Sequence, residues 1–157
     1  MRIIVYGVGA IGGGVAAGLA RQGSDVVGIA RGAHLKALQS DGLHLKTPDI
    51  DDIVRFDCVA HPSEIALRPD DAILLCMKTQ DTEPALTALQ AAGVQDQPIF
   101  CFQNAVTNER CALRRFPNVH GVTVMLPATF LQAGKVIGYS RPALGMFDIG
   151  RYPGGLD

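Results

Sequence analysis

The sequence lacks tryptophan altogether, and charged residues occupy only 18% of its 157 positions. Its 14 basic side chains are balanced by 15 acidic ones, so the formal net charge is −1. Binding to nucleic-acid phosphates depends on clustered lysine and arginine, because it is driven by the release of condensed counterions. We therefore expect no nucleic-acid partner.

Long hydrophobic runs are also missing, although 48% of the residues are hydrophobic. The apolar stretches are short and interrupted, whereas a membrane helix needs about 18 or more consecutive apolar residues. Arg2 is followed by a brief apolar stretch that leads directly into glycines, without the extended apolar region of a signal peptide. These features predict a soluble, cytoplasmic protein with no membrane contact.

Cysteine and histidine are scarce and follow no ligand pattern. The cysteines, which lack any C-x-x-C pair, are Cys58, Cys76, Cys101 and Cys111. The histidines, which we interpret as surface or capping residues, are His34, His44, His61 and His120. Neither spacing favours a disulfide framework or a metal site, so we predict no metal.

Glycine, by contrast, is abundant and patterned. Directly after the β-branched run 2–6 comes the motif Gly7-Val8-Gly9-Ala10-Ile11-Gly12, which opens a helical pattern that ends at Gly23. A second apolar run, 26–30, follows, so these residues have the order of a βαβ unit. In such a unit the first glycine permits a tight turn, the second lets the backbone approach a pyrophosphate, and the third allows close helix packing. The motif predicts a dinucleotide site.

Strand and helix patterns continue to alternate along the chain. The continuous apolar runs 72–76 and 99–102 are typical of strands buried on both faces. A helix is expected after the first run, with Thr82 as its N-cap, another helix over 108–115, and a strand over 119–125. This order predicts an α/β fold with a doubly wound, mostly parallel Rossmann-type sheet and helices on both faces.

Two stretches are less regular. Residues 43–47 and 53–59 are expected to pair as strands around a polar turn, and 135–139 with 143–149 as a C-terminal β-hairpin. Residues 1–150 would then form one dinucleotide-binding domain. The Pro- and Gly-rich residues 151–157 would form a linker stub.

Arg31 follows the predicted second strand, where NAD-binding proteins carry an acidic residue for the ribose hydroxyl. A guanidinium can pair with a 2′-phosphate that a carboxylate would repel. We therefore expect NADP(H) rather than NAD as the cofactor. The alternative is that Arg31 is only a solvated surface side chain.

Lys78 and Asn104 lie just past the runs 72–76 and 99–102. Ligands of open α/β sheets bind at the carboxyl edge, where both residues would project. Lys78 can offer a cation to cofactor oxygens, and Asn104 can both donate and accept hydrogen bonds. Each alone could be an ordinary loop residue, but together with the glycine turn they predict a site on one edge.

Taken in order, these residues resemble the ketopantoate reductase (2-dehydropantoate 2-reductase) family. The stretches that carry the resemblance are 7–13, 30–35, Met77-Lys78-Thr79-Gln80, Gln103-Asn104 with Asn108-Glu109, and Gly121-Val122-Thr123. The resemblance implies that Gly7, Gly9 and Gly12 hold the pyrophosphate of NADPH and that Arg31 holds its 2′-phosphate. It places Lys78 and Asn104 near the nicotinamide ribose and the substrate, in a supporting catalytic role.

The resemblance also implies a reaction. Family members reduce the ketone of 2-dehydropantoate to pantoate in pantothenate biosynthesis, by hydride transfer from NADPH, and they carry a second, helical domain with the catalytic lysine. This chain would be the NADPH-binding half and inactive alone. The implied partners are a small 2-oxo acid, the helical domain and a second copy in a homodimer.

One departure from the family pattern leaves alternatives open. The family has glycine after the asparagine, whereas this chain has Ala105. If that position needs a positive φ, alanine costs about 1 kcal/mol there. The protein could then be a reductase of another 2-oxo acid or an opine-type dehydrogenase, which shares the glycine motif. A stand-alone NADP-binding sensor or regulatory module is a further alternative.

Overall fold

In the computed structural model, which describes residues 1–155, the chain forms eleven strands and four α-helices. In chain order they are β1 (Arg2–Tyr6), α1 (Ala10–Arg21), β2 (Asp25–Ile29), α2 (Gly32–Ser40), β3 (Leu43–Lys46), β4 (Asp51–Val54), β5 (Asp57–Val59), β6 (Asp71–Leu75), α3 (Thr82–Ala91), β7 (Ile99–Cys101), α4 (Asn108–Leu113), β8 (Val119–Met125), β9 (Ala128–Gln132), β10 (Lys135–Gly138) and β11 (Met146–Arg151). Two short 3-10 turns span Pro62–Glu64 and Thr79–Asp81.

Seven strands form the larger sheet, in the order β11-β8-β7-β6-β1-β2-β5. All its neighbouring strands are parallel except β11, which runs antiparallel to β8. The chain moves outward from β1 through β2 to β5 and then returns to β6 on the other side of β1. This reversal is a topological switch point, where the carboxyl edge of a parallel sheet binds ligands. The predicted doubly wound α/β sheet is confirmed.

Helices cover both faces of this sheet. On one face, Leu86 of α3 packs with Ile73 of β6 in the main core. On the other, Val15 of α1 packs with Val5 of β1. Burial of each such side chain contributes about 1.5–3 kcal/mol. Strands β1 and β6 are continuously apolar at their centres because both of their faces are covered.

The smaller sheet has the order β4-β3-β10-β9 and corrects one prediction. Residues 53–59 were expected to form one strand, but they divide at Phe56. Strand β4 pairs antiparallel with β3 in the small sheet, whereas β5 joins β2 in the large one. Phe56 packs against cores on both sides of this crossing, so the chain passes between the sheets there.

A C-terminal hairpin is present, but its strands differ from those predicted. It consists of β9 and β10, joined through Gly134 at a φ of +75°. Strand β11, the expected partner of β10, pairs instead with β8 in the large sheet. The reason is that β10 already has β9 on one edge and β3 on the other, so neither edge is open to β11.

The ends of the elements follow the expected pattern closely. Strand β8 has the predicted bounds, and α4 ends at Leu113, two residues before the predicted end. Strand β11 ends at Arg151, and of the predicted linker, positions 156 and 157 lie outside the described residues. Within residues 1–155, no helix is long and apolar enough to cross a membrane.

A buried ion pair joins the amino ends of β1 and β6, opposite the edge with the switch-point loops. Arg2 Nε donates to Asp71 Oδ1 at 2.9 Å, and its Nη2 donates to Oδ2 at 2.8 Å. Asp71 also accepts from the Arg68 N–H at 2.7 Å, and Arg2 donates to the Ala66 carbonyl. Asp71 is fully buried and Arg2 is only 8% exposed. The pair therefore anchors the two central strands to the loop before β6.

Candidate cofactor site at the carboxyl edge

The glycine-rich turn follows β1 at the switch point. Gly7 has a φ of +97°, and its N–H donates to the Ile29 carbonyl at 3.0 Å. A Cβ on Gly7 would lie 2.7 Å from the backbone nitrogen of Met77. Both the conformation and the close approach of the chain after β6 require glycine. The tight turn expected of the first glycine is therefore present.

The space around Gly12 and the space around Gly9 differ: one has no room for a side chain, and the other is open. A Cβ on Gly12 would overlap the Gly7 carbonyl oxygen and lie 2.8 Å from Cys76 Cβ, so α1 can pack on the turn only with glycine there. A Cβ on Gly9 would meet no heavy atom within 4 Å in the described part of the chain. Packing does not demand glycine at that position, which leaves the backbone open to a ligand.

Helix α1 starts at Ala10 and points its amino end toward this edge. Its N-cap is Gly9, which provides no side-chain cap, and its first turn carries no acidic residue. The first amide groups of a helix have no acceptor within the helix, and the helix dipole adds partial positive charge. The turn can therefore hold a phosphate group through backbone N–H groups.

Arg31 lies two residues beyond β2, as the N-cap residue of α2 in extended conformation. Its side chain is 78% exposed, and Nη2 lies 3.5 Å from Asp81 Oδ1 across the switch point. Tyr6 lies beside this pair: burial raises the pKa of its hydroxyl, and the Arg31 charge opposes that rise. An exposed ion pair contributes about 0–1 kcal/mol. Arg31 can therefore exchange Asp81 for a more strongly charged anion.

Lys78 and Asn104 follow the neighbouring strands β6 and β7, so the structure brings them to the same edge. Lys78 is exposed before the turn Thr79–Asp81 and makes no ion pair with any residue between 1 and 155. Asn104 is exposed at the rim of a cleft beyond β7. Both side chains are free to meet a ligand.

A buried polar network supports the loop that carries Asn104. Gln103 Nε2 donates to Thr82 Oγ1 at 2.7 Å, Thr82 donates to Asn108 Oδ1 at 2.8 Å, and Asn108 Nδ2 donates to Thr79 Oγ1 at 3.3 Å. The prediction that Thr82 caps α3 was wrong, because Asp81 is the N-cap residue. Thr82 is instead the first helical residue, only 2% exposed, and its hydroxyl joins the loops after β6 and β7.

The cleft beyond β7 and β8 has a volume of about 310 Å³. Its lining includes Gln103, Asn104, Glu109 and residues 121–124. Two of its buried acceptors, Gln103 Oε1 and Glu109 Oε2, have no hydrogen-bond donor among the described residues. Ala105 also lines the cleft; the described chain has positive φ only at glycines, so the strain considered for alanine does not arise.

Sequence analysis missed the role of His34, which was interpreted as a surface or capping residue. Its Nδ1 accepts from the Gly134 N–H at 2.9 Å, so Nε2 carries the proton and donates to the Val8 carbonyl. The ring packs against Phe130, with centroids 4.4 Å apart. His34 therefore ties the glycine turn to the β9–β10 hairpin. No local pattern indicates this contact, because Gly134 is a hundred residues away.

Acid should weaken the fold through His34. Burial lowers the pKa of this imidazole below the ordinary 6.5, so the folded chain holds it neutral. Below about pH 6.5 the unfolded chain binds a proton that the folded chain does not, and the free energy of unfolding falls until the folded pKa is reached. Between about pH 7.5 and 5.5 the melting temperature of the wild type should fall more than that of His34→Gln. The exposed His61→Gln variant is the control and should follow the wild type; equal slopes for all three would contradict the role of His34.

Three of the four cysteines, Cys58, Cys76 and Cys101, contribute packing rather than reactivity. All four are free thiols, and burial raises the pKa of Cys58 to about 11 and that of Cys101 to about 12. The pKa of Cys76, beneath the glycine turn, is also raised by burial. Protonated thiols are poor nucleophiles and poor metal ligands. Residues 1–155 contain no group of three or more His, Cys, Asp or Glu placed to hold a metal.

Comparisons with known proteins show which family this chain resembles. The family model "Ketopantoate reductase PanE/ApbA" matches residues 3–154. A 2-dehydropantoate 2-reductase of Pyrococcus horikoshii is 30% identical over 155 residues, which are 99% of this chain and 49% of that protein. The crystal structure of a 2-dehydropantoate 2-reductase from Porphyromonas gingivalis has a TM-score of 0.84 at 28% identity and covers 95% of this chain and 54% of that one.

A third similar structure is the ternary complex of D-mandelate dehydrogenase with NADH and anilino(oxo)acetate. Its TM-score is 0.83 at 22% identity, over 95% of this chain and 48% of that one, so the likeness concerns the fold. The chain thus spans about half the length of each of these three relatives. The family resemblance predicted from the sequence is confirmed.

Proposed function

The chain belongs to the ketopantoate reductase family, and from this we propose that it is the NADPH-binding half of a reductase that converts 2-dehydropantoate to pantoate. One observation carries the proposal: a glycine turn suited to a phosphate and an exposed arginine flank the same switch point. Gly9 presents open backbone there, and Arg31 follows the neighbouring strand β2. A nucleotide with both a pyrophosphate and a 2′-phosphate fits this pair.

Different residues at this edge would bind different parts of the cofactor. We assign the pyrophosphate to Gly7-Val8-Gly9-Ala10-Ile11-Gly12 and the amino end of α1, because unpaired amides and the helix dipole favour an anion there. Arg31 would hold the 2′-phosphate. Lys78 and Asn104, at the ends of β6 and β7, would lie beside the nicotinamide ribose and the substrate.

NADPH, when bound, supplies the hydride that reduces the ketone. The residues of this chain bind and orient it: the glycine turn holds the phosphates, and the network behind Gln103 keeps the Asn104 loop in place. Asn104 can donate a hydrogen bond to a ketone oxygen and accept one from a ribose hydroxyl. Protonation of the developing alkoxide is assigned to the lysine of the helical domain that the family resemblance implies. The same resemblance implies that the protein forms a homodimer.

A single residue, Ala105, supports a second candidate substrate class, the other 2-oxo acids. Ala105, at the position where the family has glycine, lines the cleft next to Asn104. Its methyl group occupies space at the rim where a substrate would enter. We therefore keep reduction of a 2-oxo acid other than 2-dehydropantoate as the alternative.

The cofactor assignment predicts a selective effect at Arg31. Replacing it with alanine should weaken NADPH binding by about 10- to 100-fold, because a charged hydrogen bond to phosphate contributes about 1.5–3 kcal/mol. NADH binding should hardly change. Since the chain has no tryptophan, both affinities can be measured by titration of the cofactor's own fluorescence.

The matched control for this experiment is Arg114→Ala, which removes the same charge from the exposed end of α4. It should leave both affinities unchanged. Equal binding of NADPH and NADH by the wild type would contradict the assignment of Arg31. A wild-type chain that binds neither cofactor would overturn the proposed function itself.

A further inference from the structure

Glu109 is a buried carboxylate without a described partner. It lies in the first turn of α4, is 8% exposed, and its Oε2 has no hydrogen-bond donor among residues 1–155. Its Oε1 lies 3.6 Å from the position that a Cβ on Gly121 would occupy, so the carboxylate lies against β8 in the cleft. The charge of Glu109 also helps to raise the pKa of Cys101 on β7.

Such an arrangement is costly unless a ligand completes it. A buried acceptor without a donor costs about 1–3 kcal/mol, and more when it is charged. The same cleft holds a second orphan acceptor, Gln103 Oε1, in a side chain that is 5% exposed. Two unpaired acceptors in the lining of one cleft favour a ligand group that donates hydrogen bonds or carries positive charge. They disfavour an anion, so the carboxylate of a 2-oxo acid does not belong beside Glu109.

The direction of the cofactor along the edge indicates which ligand group would meet these two acceptors. A dinucleotide lies across the switch point, with one nucleotide on each side. If Arg31 holds the 2′-phosphate beside β2, the adenosine half lies over β1, β2 and β5. The nicotinamide half then lies over β6, β7 and β8, where the cleft opens. Its carboxamide donates hydrogen bonds, and its ring is positively charged in NADP⁺ and neutral in NADPH.

We propose that Glu109 and Gln103 supply the hydrogen-bond acceptors that face the nicotinamide end of the cofactor. The Glu109 carboxylate then strengthens binding of NADP⁺ relative to NADPH. This inference rests on the proposed function. A charge that stabilises only the oxidised form makes the bound cofactor a stronger hydride donor than free NADPH, because binding and redox equilibria are linked. Glu109 is thus a positioning and tuning residue rather than a catalytic one.

The test is the ratio of two dissociation constants, measured by calorimetry with NADP⁺ and with NADPH. Glu109→Gln should raise the Kd for NADP⁺ about fivefold relative to that for NADPH, the effect of one unit charge at moderate distance in a partly solvated site. Glu109→Asp, which keeps the charge, should largely preserve the wild-type ratio. The control Glu83→Gln removes an equal charge from a side chain that is 56% exposed on α3 and paired with Arg115, and it should leave the ratio unchanged.

A second variant keeps the inference testable if Glu109→Gln does not fold. Thr123 is exposed at the rim of the same cleft, so Thr123→Lys adds a cation that neutralises the carboxylate. It should shift the ratio in the same direction as Glu109→Gln. An unchanged ratio in the folded variants, or equal loss of both cofactors, would overturn this inference alone. Failure of the wild type to bind either cofactor would overturn the proposed function with it.

Discussion

Replacing Gly12 with alanine is expected to abolish NADPH binding and to lower the free energy of unfolding by about 2 kcal/mol or more. The added methyl group would overlap the Gly7 carbonyl oxygen and lie 2.8 Å from Cys76 Cβ. Neither the turn backbone nor the chain directly after β6 can withdraw easily, so α1 must move outward. That movement takes the amino end of α1 away from the pyrophosphate position.

Two other glycines serve as matched controls for this variant. Gly18→Ala, in the same helix, would place its methyl group 3.6 Å from Leu144 Cδ2, an ordinary contact. Because alanine favours helix over glycine by about 0.5–1 kcal/mol, this variant should be as stable as the wild type or more stable. Gly9→Ala should fold normally and bind NADPH weakly, since its methyl group points into open space above the turn.

Urea unfolding and cofactor titration of the three variants separate packing from binding. The expected pattern is loss of both stability and binding in Gly12→Ala, loss of binding alone in Gly9→Ala, and neither loss in Gly18→Ala. Normal NADPH affinity in Gly12→Ala would mean that the turn does not position the phosphates. The proposed site would then be wrong.

Replacing Asp71 with asparagine is expected to destabilise the fold by about 3–5 kcal/mol, the range for breaking one partner of a buried ion pair. Arg2 would keep its charge at 8% exposure without the two-pronged acceptor that now holds it. The Arg68 N–H, which bonds to Asp71 Oδ2, would also lose a charged acceptor. Because typical domains are stable by only about 5–15 kcal/mol, this loss would lower the melting temperature strongly.

The adjacent residue provides the control for the Asp71 variant. Asp70 is 59% exposed and pairs with the amino terminus, so Asp70→Asn removes the same charge and should leave the melting temperature nearly unchanged. A double-mutant cycle with Arg2→Met completes the test. The two single changes should be strongly non-additive, because each alone orphans the other partner. Additive effects would show that the pair does not act as a unit.

The glycine-rich turn and the central sheet could be predicted because their determinants are local. Gly7, Gly9 and Gly12 follow a β-branched strand at fixed spacing, and the structure shows a steric reason for glycine at positions 7 and 12. The runs at 72–76 and 99–102 are apolar because both faces of their strands are buried. Lys78 and Asn104 reach one edge because parallel strands end on the same side.

The contacts that sequence analysis missed depend on residues far apart in the chain. The bonds of His34 join Val8 to Gly134, and Thr82 joins the loops after β6 and β7. Glu109 belongs to one of the stretches that carry the family resemblance, yet its burial becomes visible only when β8 passes beside α4. No periodicity within a single element carries this information.

By itself, the sequence determined the βαβ opening, the glycine-rich turn, the family and the position of Arg31, since each depends on residues within a short stretch. Only the tertiary structure decided how 53–59 divides between two sheets and that β11 pairs with β8 rather than β10. Local patterns specify that a strand forms and which side chains it buries. Its partner depends on which edges remain open once the other strands have paired, and that is a property of the whole fold.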